Sequence, residues 1–469
     1  MNRASRFLKS SAIYFVGNIL TKLISFFLLP LYTAKIATAD MGYYNTSVNY
    51  LNILIPVVCL EIWSAIMRYM FDYDKQEDRY KSVYNGLAIF ACSVAAYTAI
   101  FVVLDIFMDI QCLWLIYLYG LFTMLQNVYT YSARGLGYNT TFAVSGLVGS
   151  LVNCLSNIFM ILVLHMTLES LYIAMIIGLL TQVLIMESKV RLISHCKGFH
   201  IEKDTVKSMT AFALPLALNS ACFWFLSGYN SVATTNTLGL EANGIYAVAG
   251  KFTTALSLVS TCFTLAWQEL VFSMGNEKED KSAFYTKASN YYILFLYAGL
   301  LALVPFIKLI FPIMIDDSYS ASFMLVPLYL LATVASIYSN FLGNIFSAEK
   351  HTKIVFYSTL AAAVVNVALF HLLIWRVGTQ AANISLLVGF LVNIGMRIFI
   401  LRKSVAIRLN YGIIIGGTAL FAAVFYVYAN MGMAANAVCL GVVCLLALYA
   451  LRDLLLKLRD AVRRERAQG

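Results

Sequence analysis

The sequence predicts an all-α, polytopic transmembrane helix bundle of about 14 spans, made of two six-helix repeats and two accessory helices. Three observations lead to this prediction: the composition, the length of the apolar runs and the alternating placement of basic residues. Of the 469 residues, 61% are hydrophobic and only 12% are charged, whereas soluble proteins are about 45–50% apolar and about 25% charged. The 14% of aromatic residues also excludes a disordered chain.

Long apolar runs define the individual spans, because a helix needs about 20 apolar residues to cross the hydrocarbon core. The runs are 10–31, 43–64, 83–104, 112–132, 142–164, 168–186, 211–230, 244–267, 288–311, 321–346, 354–374, 379–396, 411–428 and 432–450. The runs 168–186 and 379–396 are among the shortest. Unbroken runs of this length favour helices over the short alternating strands of a barrel.

Basic residues fix the orientation of these spans. With the N-terminus inside, all but five of the 33 Lys and Arg residues fall on the inner side. The exceptions are Lys22 and Lys251 within spans, and Lys35, Lys308 and Arg376 outside. This positive-inside pattern predicts that both termini are cytoplasmic. The net charge of +10 is therefore interpreted as a signal for membrane orientation and for contact with anionic lipids. Nucleic acid is not an expected partner.

The second half of the sequence repeats features of the first. Five pairs of similar residues or segments occur in the same order, at offsets of 202 to 215 residues. The pairs are Gly42 and Gly244, Trp63 and Trp267, 131–142 and 346–356, Asn153 and Asn366, and Gly178 and Gly389. Ordered self-similarity of this kind indicates an internal repeat.

The repeat sets the domain organisation. Its offset contains an even number of spans, so the two halves have the same orientation and are related by a pseudo-twofold axis along the membrane normal. We predict an N-terminal six-helix lobe at 1–210, a second lobe at 211–403, and two accessory spans with a basic cytoplasmic tail at 404–469. Halves of this kind are typical of transporters with a substrate path between them.

Lys22 is the first candidate for that path. It lies about 12 residues into its span, hence about 18 Å deep, and an ionisable group at such depth normally faces a bundle interior or water. Tyr14, Asn18 and Ser25 share its helical face by their spacing of three and four residues. The two interpretations are a substrate-binding lumen and a structural contact between helices.

Lys251 is the second candidate. It lies about seven residues, or about 10 Å, below the outer edge of its span. Because that span is the repeat partner of the second, Lys22 and Lys251 belong to opposite halves. Lys251 either faces the lumen or extends to the outer head groups.

A polar stripe on the second span predicts an inner gate. Ser47, Tyr50, Glu61, Ser64 and Arg68 fall within it, with Glu61 and Arg68 near the cytoplasmic end. Glu269 occupies a similar place in the eighth span. An ion pair at an inner gate and a surface pair at the membrane interface are equally consistent with the pattern.

Three further positions belong to the same hypothesis. Arg134, between the fourth and fifth spans, is either a contact for phosphate at the entry or an inside-positive loop residue. Pro56 and Pro215 lie inside spans, where proline kinks a helix. Bent helices suit a gated cavity, and they also occur in static bundles.

The sequence carries no signature of catalysis, metal binding or a bound cofactor. The cysteines have no CxxC pair and are predicted to pack as small apolar residues. Residues 244–252, GIYAVAGKF, fail as a phosphate-binding loop because the glycines are too far apart and Phe252 replaces the required Ser or Thr. We therefore expect no enzyme, although a membrane-bound glycan-modifying enzyme remains an alternative.

The opening of the chain resembles bacterial polysaccharide flippases of the Wzx type, in the MOP superfamily. The matching positions are Pro30, Leu31, Tyr32, Gly42 and Tyr44, and segment 65–78 resembles the basic-then-acidic loop of that family. The resemblance implies movement of an undecaprenyl-diphosphate-linked oligosaccharide from the cytoplasmic to the outer leaflet of the bacterial inner membrane, as in O-antigen assembly. A polysaccharide polymerase and glycosyltransferases are implied partners.

The resemblance also leaves alternatives within the superfamily. As in its relatives, coupling to H⁺ or Na⁺ rather than ATP is expected. A MATE-type multidrug exporter would use acidic lumen residues for organic cations, whereas an anionic diphosphate needs a cationic lumen. A flippase for the peptidoglycan precursor would also carry an anionic substrate, and it remains an alternative.

Overall fold

The computed structural model describes residues 26–73, 75–195, 201–273, 281–348, 352–404 and 407–468. Their side chains are described except at 259, 261–262, 264–266, 268–273, 281, 347–348, 352, 404 and 453–468. Within the described residues the structure consists of helices and connecting turns, without strands. The predicted all-α class is therefore confirmed.

The chain divides into two compact units, Met1–Ala247 and Val248–Gly469. The boundaries predicted at 210 and 403 stay predictions. The described helices of the first unit are α1 (Leu29–Lys35), α2 (Thr38–Val58), α3 (Ile62–Met70), α4 (Gln76–Phe107), α5 (Leu113–Gly135), α6 (Asn139–Leu162), α7 (Leu168–Val190), α8 (Leu192–His195), α9 (Lys203–Ser227) and α10 (Tyr229–Leu238).

A long helix, α11 (Leu240–Ser273), begins in the first unit and continues into the second. The other described helices of the second unit are α12 (Lys281–Met314), the 3₁₀ helix η1 (Asp317–Leu325), α13 (Val326–Ala348), α14 (Thr352–Val377), α15 (Gln380–Ser404), α16 (Tyr411–Asn430) and α17 (Met433–Gln468).

Most predicted spans coincide with observed helices. Among the described residues, ten helices are long and apolar enough to cross a membrane, or eleven if α2 and α3 form one bent span. The short runs 168–186 and 379–396 lie in α7 and α15, which are both among the ten. The total of about 14 spans stays a prediction, because most of the run 10–31 lies outside the described residues.

Two elements differ from the sequence prediction. The run 43–64 is interrupted after Val58, and α2 and α3 meet at an angle of 50°. The residues between the predicted spans 211–230 and 244–267 form α10, which is polar and too short to show as an apolar run. Its Asn230, Ser231 and Thr234 are nevertheless buried, so tertiary contacts rather than hydropathy define this helix.

The repeat is visible in the packing of each unit. Trp63 is 4% exposed in the first unit and Trp267 is 4% exposed in the second. The Trp267 ring stacks on Phe341 at 4.4 Å between centroids. In the first unit α6 packs along α7, and in the second α14 packs along α15. The two halves thus share antiparallel helix pairs at equivalent places in the sequence.

Candidate functional site

A network of polar side chains joins α2, α10 and the start of α11 at the predicted outer end of the first unit. Asn45 Nδ2 donates to Ser231 Oγ at 2.6 Å, and Ser231 Oγ donates to Asn243 Oδ1 at 2.8 Å. Asn243 Nδ2 donates to Thr46 Oγ1 at 2.8 Å. Thr46 Oγ1 and Thr235 Oγ1 are 2.6 Å apart. We call these five residues the outer clasp.

Two glycines let the helices of the outer clasp approach each other closely. A Cβ on Gly42 would lie 1.8 Å from the Leu240 carbonyl oxygen, and one on Gly244 would lie 1.9 Å from the Thr38 carbonyl oxygen. Any larger residue would therefore overlap backbone atoms. Gly42 and Gly244 are also a pair in the internal repeat.

The break between α2 and α3 is a backbone turn at residues 59–61. Pro56 lies in the last turn of α2, and its carbonyl accepts from the Glu61 N–H, five residues further on, at 3.1 Å. Leu60 and Glu61 then adopt left-handed φ values of 52° and 54°. Left-handed conformation in two successive non-glycine residues is unfavourable, so surrounding contacts must hold it.

Glu61 supplies such contacts. Its carboxylate accepts from Ser220 Oγ of α9 at 2.7 Å and from Ser64 Oγ at 3.3 Å. Arg68 is 54% exposed and pairs with Asp72 at 2.6 Å. The side chains of Arg68 and Glu61 are both described, and Arg68 pairs with Asp72 rather than with Glu61. The hydrogen bond from Ser220 connects the α2–α3 break to α9. A role of Glu61 and Arg68 in a gate stays a prediction.

The other predicted gate and kink residues are dispersed. Arg134 is exposed at the end of α5, with its guanidinium over the rings of Tyr131 at 5.7 Å and Phe142 at 5.9 Å. Pro215 lies inside α9, which continues without interruption from Lys203 to Ser227. Glu269 lies in α11, in the part whose side chains are not described.

Lys251 is the lumen candidate that the structure describes. It lies in α11 with a partly buried side chain. The ion pairs among the described residues are Arg68–Asp72 and Lys81–Asp78, so no described carboxylate neutralises Lys251. The other lumen candidates, Tyr14, Asn18, Lys22 and Ser25, lie outside the described residues.

Sequence reasoning missed Arg397. The positive-inside count placed it among the cytoplasmic cations, but it is only 3% exposed within the second unit. Its guanidinium donates to the Ser339 carbonyl at 2.5 Å, to Ser358 Oγ at 3.0 Å and to Thr359 Oγ1 at 3.2 Å. Arg397 therefore ties α15 to α13 and α14, and a lone Arg after an apolar run gave no signal of this.

The outer clasp was also absent from the predicted site. Asn243 lies next to Gly244, a residue of the internal repeat. Its hydrogen-bond partners come from α2, which is distant in sequence, and from α10. No group of three His, Cys, Asp or Glu side chains among the described residues is placed to hold a metal ion. The described candidate residues thus comprise the hydrogen-bonding side chains of the outer clasp, Lys251 and the bent pair α2–α3.

The sequence and the fold both resemble known proteins. The family model named polysaccharide biosynthesis protein matches residues 7–267, which is more than half of the chain. No curated protein matches the sequence.

Several solved structures share the fold. A structure described as the lipid II flippase MurJ in an inward closed conformation has a TM-score of 0.71 at 12% identity, over 95% of this chain and 100% of that one. An inward-facing multidrug resistance MATE family transporter of the MOP superfamily has a TM-score of 0.63 at 13% identity, over 88% and 95% of the chains. Its outward-facing counterpart gives 0.57 at 15% identity, over 89% and 96%. This chain therefore belongs to the family of polysaccharide biosynthesis proteins and has the helical fold that MurJ and the MATE transporters of the MOP superfamily share.

Proposed function

We propose that this chain is a flippase that moves an undecaprenyl-diphosphate-linked oligosaccharide from the cytoplasmic to the outer leaflet of the bacterial inner membrane. Membership in the polysaccharide biosynthesis family carries the proposal. The MOP fold supports it, since related structures on that fold include a lipid II flippase and multidrug transporters.

The charges inside the spans favour an anionic substrate over an organic cation. Lys251 lies within α11, whereas the Asp and Glu residues of the ten described candidate spans lie near the span ends, as Glu77, Asp105 and Glu187 do. The carboxylate inside the bent pair α2–α3, that of Glu61, is at the break and accepts from Ser220. A diphosphate cannot enter hydrocarbon without partners for its charge. Lys22 and Lys251 are proposed to supply positive charge to the diphosphate, while the polyprenyl tail stays in lipid.

Alternating access is the proposed mechanism. The outer clasp closes the predicted outer end of the first unit with side-chain hydrogen bonds, which exchange for water at modest net cost. The α2–α3 break provides a bend near the opposite end. Energy is proposed to come from an H⁺ or Na⁺ gradient or from the membrane potential, without ATP.

The peptidoglycan precursor is the second candidate substrate. The observation in its favour is the TM-score of 0.71 with the lipid II flippase MurJ over 95% of this chain. Lipid II is also a polyprenyl diphosphate carrying sugars, so both substrates require the same cationic path and differ in the sugars that must pass.

A gene deletion in the host tests the proposal. Loss of the flippase is expected to remove surface polysaccharide and to accumulate its lipid-linked precursor in the membrane. Wild-type gene on a plasmid restores the polysaccharide, and growth of the deletion strain with an intact cell wall excludes the peptidoglycan precursor as the essential cargo. Normal surface polysaccharide with altered resistance to cationic drugs would instead support an exporter.

A further inference from the structure

We infer that the first unit carries a second anion site, a basic pocket that binds a phosphate-bearing group at the predicted cytoplasmic end of α4 and α7. The pocket is a cavity of about 810 Å³. Its lining comes from three separate places in the sequence: the start of α4, the turn between α5 and α6, and the end of α7 with α8. The lining residues are Lys75, Gln76, Glu77, Tyr80, Tyr138, Ser188, Lys189, Arg191 and His195. We call it the basic pocket.

The charge of the basic pocket suits phosphate. Lys75, Lys189 and Arg191 line the pocket with one carboxylate, that of Glu77, so positive charge is in excess. The hydroxyl group of Tyr138 adds a donor. Cationic donors form the strongest hydrogen bonds to phosphate oxygens, and an Arg guanidinium offers two parallel ones.

A second carboxylate near the pocket is already engaged. Glu187 lies in the last turn of α7, and its carboxylate accepts from the backbone N–H of Leu192 at 2.8 Å and of Ile193 at 3.1 Å. It also accepts from Tyr129 Oη at 3.0 Å. Glu187 is not among the ion pairs of the described residues, so it is not paired with the two lysines and the arginine of the pocket.

The pocket has a rigid wall. The His195 and Tyr80 rings stack at 4.3 Å with an interplanar angle of 11°, and Tyr80 Oη donates to the Val190 carbonyl at 2.8 Å. His195 Nδ1 lies 2.8 Å from the Arg191 carbonyl. α8 is thereby held against α4, so the backbone on this side of the cavity is in place before any ligand arrives. Preorganisation of this kind lowers the entropic cost of binding.

Two sources can supply the phosphate chemistry. One is the head group of an anionic membrane lipid, since the pocket lies at the ends of two candidate spans, where basic pockets between helices take lipid head groups. The other is a soluble phosphate or diphosphate. The inference does not rest on the proposed transport activity, because binding is measured without flipping.

Binding to the purified full-length chain tests the inference. One arm titrates inorganic pyrophosphate at constant ionic strength, and the other compares nanodiscs of phosphatidylglycerol with nanodiscs of phosphatidylcholine by native mass spectrometry of retained lipid. The test variant is Lys189→Gln/Arg191→Gln. The matched control is Lys203→Gln/Lys207→Gln, which removes two exposed cations from the same side outside the pocket.

The expected result is a loss of affinity of at least about tenfold in the test variant, since charged hydrogen bonds are each worth about one decade or more. Glu77→Gln is expected to strengthen binding about twofold to fivefold. An effect in the pyrophosphate arm assigns a soluble ligand, and one confined to phosphatidylglycerol assigns a lipid head group. Equal losses in the test and control variants, or binding in neither arm, would overturn the inference.

Discussion

At the scale of single residues, the cations of this chain occupy three different kinds of position. Most lie at the predicted inner ends of spans, as the positive-inside pattern expects. Arg397 is buried and holds three helices together through neutral acceptors. Lys251 is partly buried within α11 and is not among the ion pairs of the described residues. Position in the fold, rather than residue type, therefore decides what each cation does.

Lys251→Gln is expected to lower flipping of the diphosphate-linked substrate by at least about tenfold, because it removes a charged partner of phosphate. Lys251→Arg keeps the charge and is expected to retain a substantial part of the activity. Flipping is measured in proteoliposomes, with the unfolding temperature of each variant as the check on folding. Wild-type rates in Lys251→Gln would show that this lysine extends to the head groups instead.

Arg397→Met is expected to destabilise the protein by on the order of 2–3 kcal/mol, because it leaves buried acceptors in α13 and α14 without their donor. Arg402→Met is the matched control, since Arg402 is an exposed cation on the same helix. Thermal unfolding in detergent measures both. An equal, small effect of the two substitutions would contradict the structural role given to Arg397.

At the scale of elements, hydropathy was sufficient for the long helices and insufficient for the short polar ones. The runs 168–186 and 379–396 became α7 and α15, because membrane insertion demands apolar length whatever the tertiary packing. α10 has no such run. Its polar residues Asn230 and Thr234 are buried, and the helix packs against α2, so it could not be predicted from hydropathy. The break at Leu60 and Glu61 likewise depends on Ser220 of a distant helix.

The same reasoning explains what could be predicted of the site. Lys251 is visible in the sequence because a charge inside an apolar run is rare. Asn45, Ser231 and Asn243 are ordinary polar residues in the sequence, and their hydrogen bonds connect residues up to 201 positions apart. Arg397 was counted as a cytoplasmic cation because it directly follows the run 379–396, although its side chain is only 3% exposed.

Gly42→Ala is expected to separate the elements of the outer clasp, since the added methyl group would overlap the Leu240 carbonyl oxygen. Backbone cannot move aside as a flexible side chain does, so the predicted outer end should open. Reaction of Thr234→Cys with a membrane-impermeant thiol reagent measures the opening, because Thr234 is buried and its hydroxyl donates within its own helix to the Asn230 carbonyl. Gly146→Ala is the control, because nothing lies within 4 Å of its Cβ position. Equal labelling in both backgrounds would contradict the role of Gly42.

At the scale of the whole molecule, the proposed transport cycle requires that the outer clasp open and close. The predicted relation of the two repeats by an axis along the membrane normal would allow such rocking. The hydrogen bonds of the outer clasp link elements that lie far apart in sequence, and each is worth only about 1 kcal/mol net. A closed end held by several weak bonds can release when substrate or a coupling ion binds.

A disulfide across the outer clasp tests this requirement. In Thr46→Cys/Thr235→Cys the two thiols replace hydroxyl oxygens that are 2.6 Å apart, so oxidation should join them. Transport is expected to stop on oxidation and to return on reduction. Thr46→Cys/Thr237→Cys is the control, because the Thr237 hydroxyl donates to its own helix at Ala233. Full transport by the cross-linked protein would rule out opening at this end.

The most direct measurement of the central claim is transbilayer movement in proteoliposomes that contain only this chain. The lipid is an undecaprenyl-diphosphate oligosaccharide with a fluorescent label on the sugar, and a membrane-impermeant quencher reports the leaflet. Lipid II and an organic cation are compared in the same vesicles. We expect rapid movement of the diphosphate-linked oligosaccharide, dependent on an ion gradient or membrane potential and strongly reduced by Lys251→Gln. Movement of the organic cation alone would contradict this expectation.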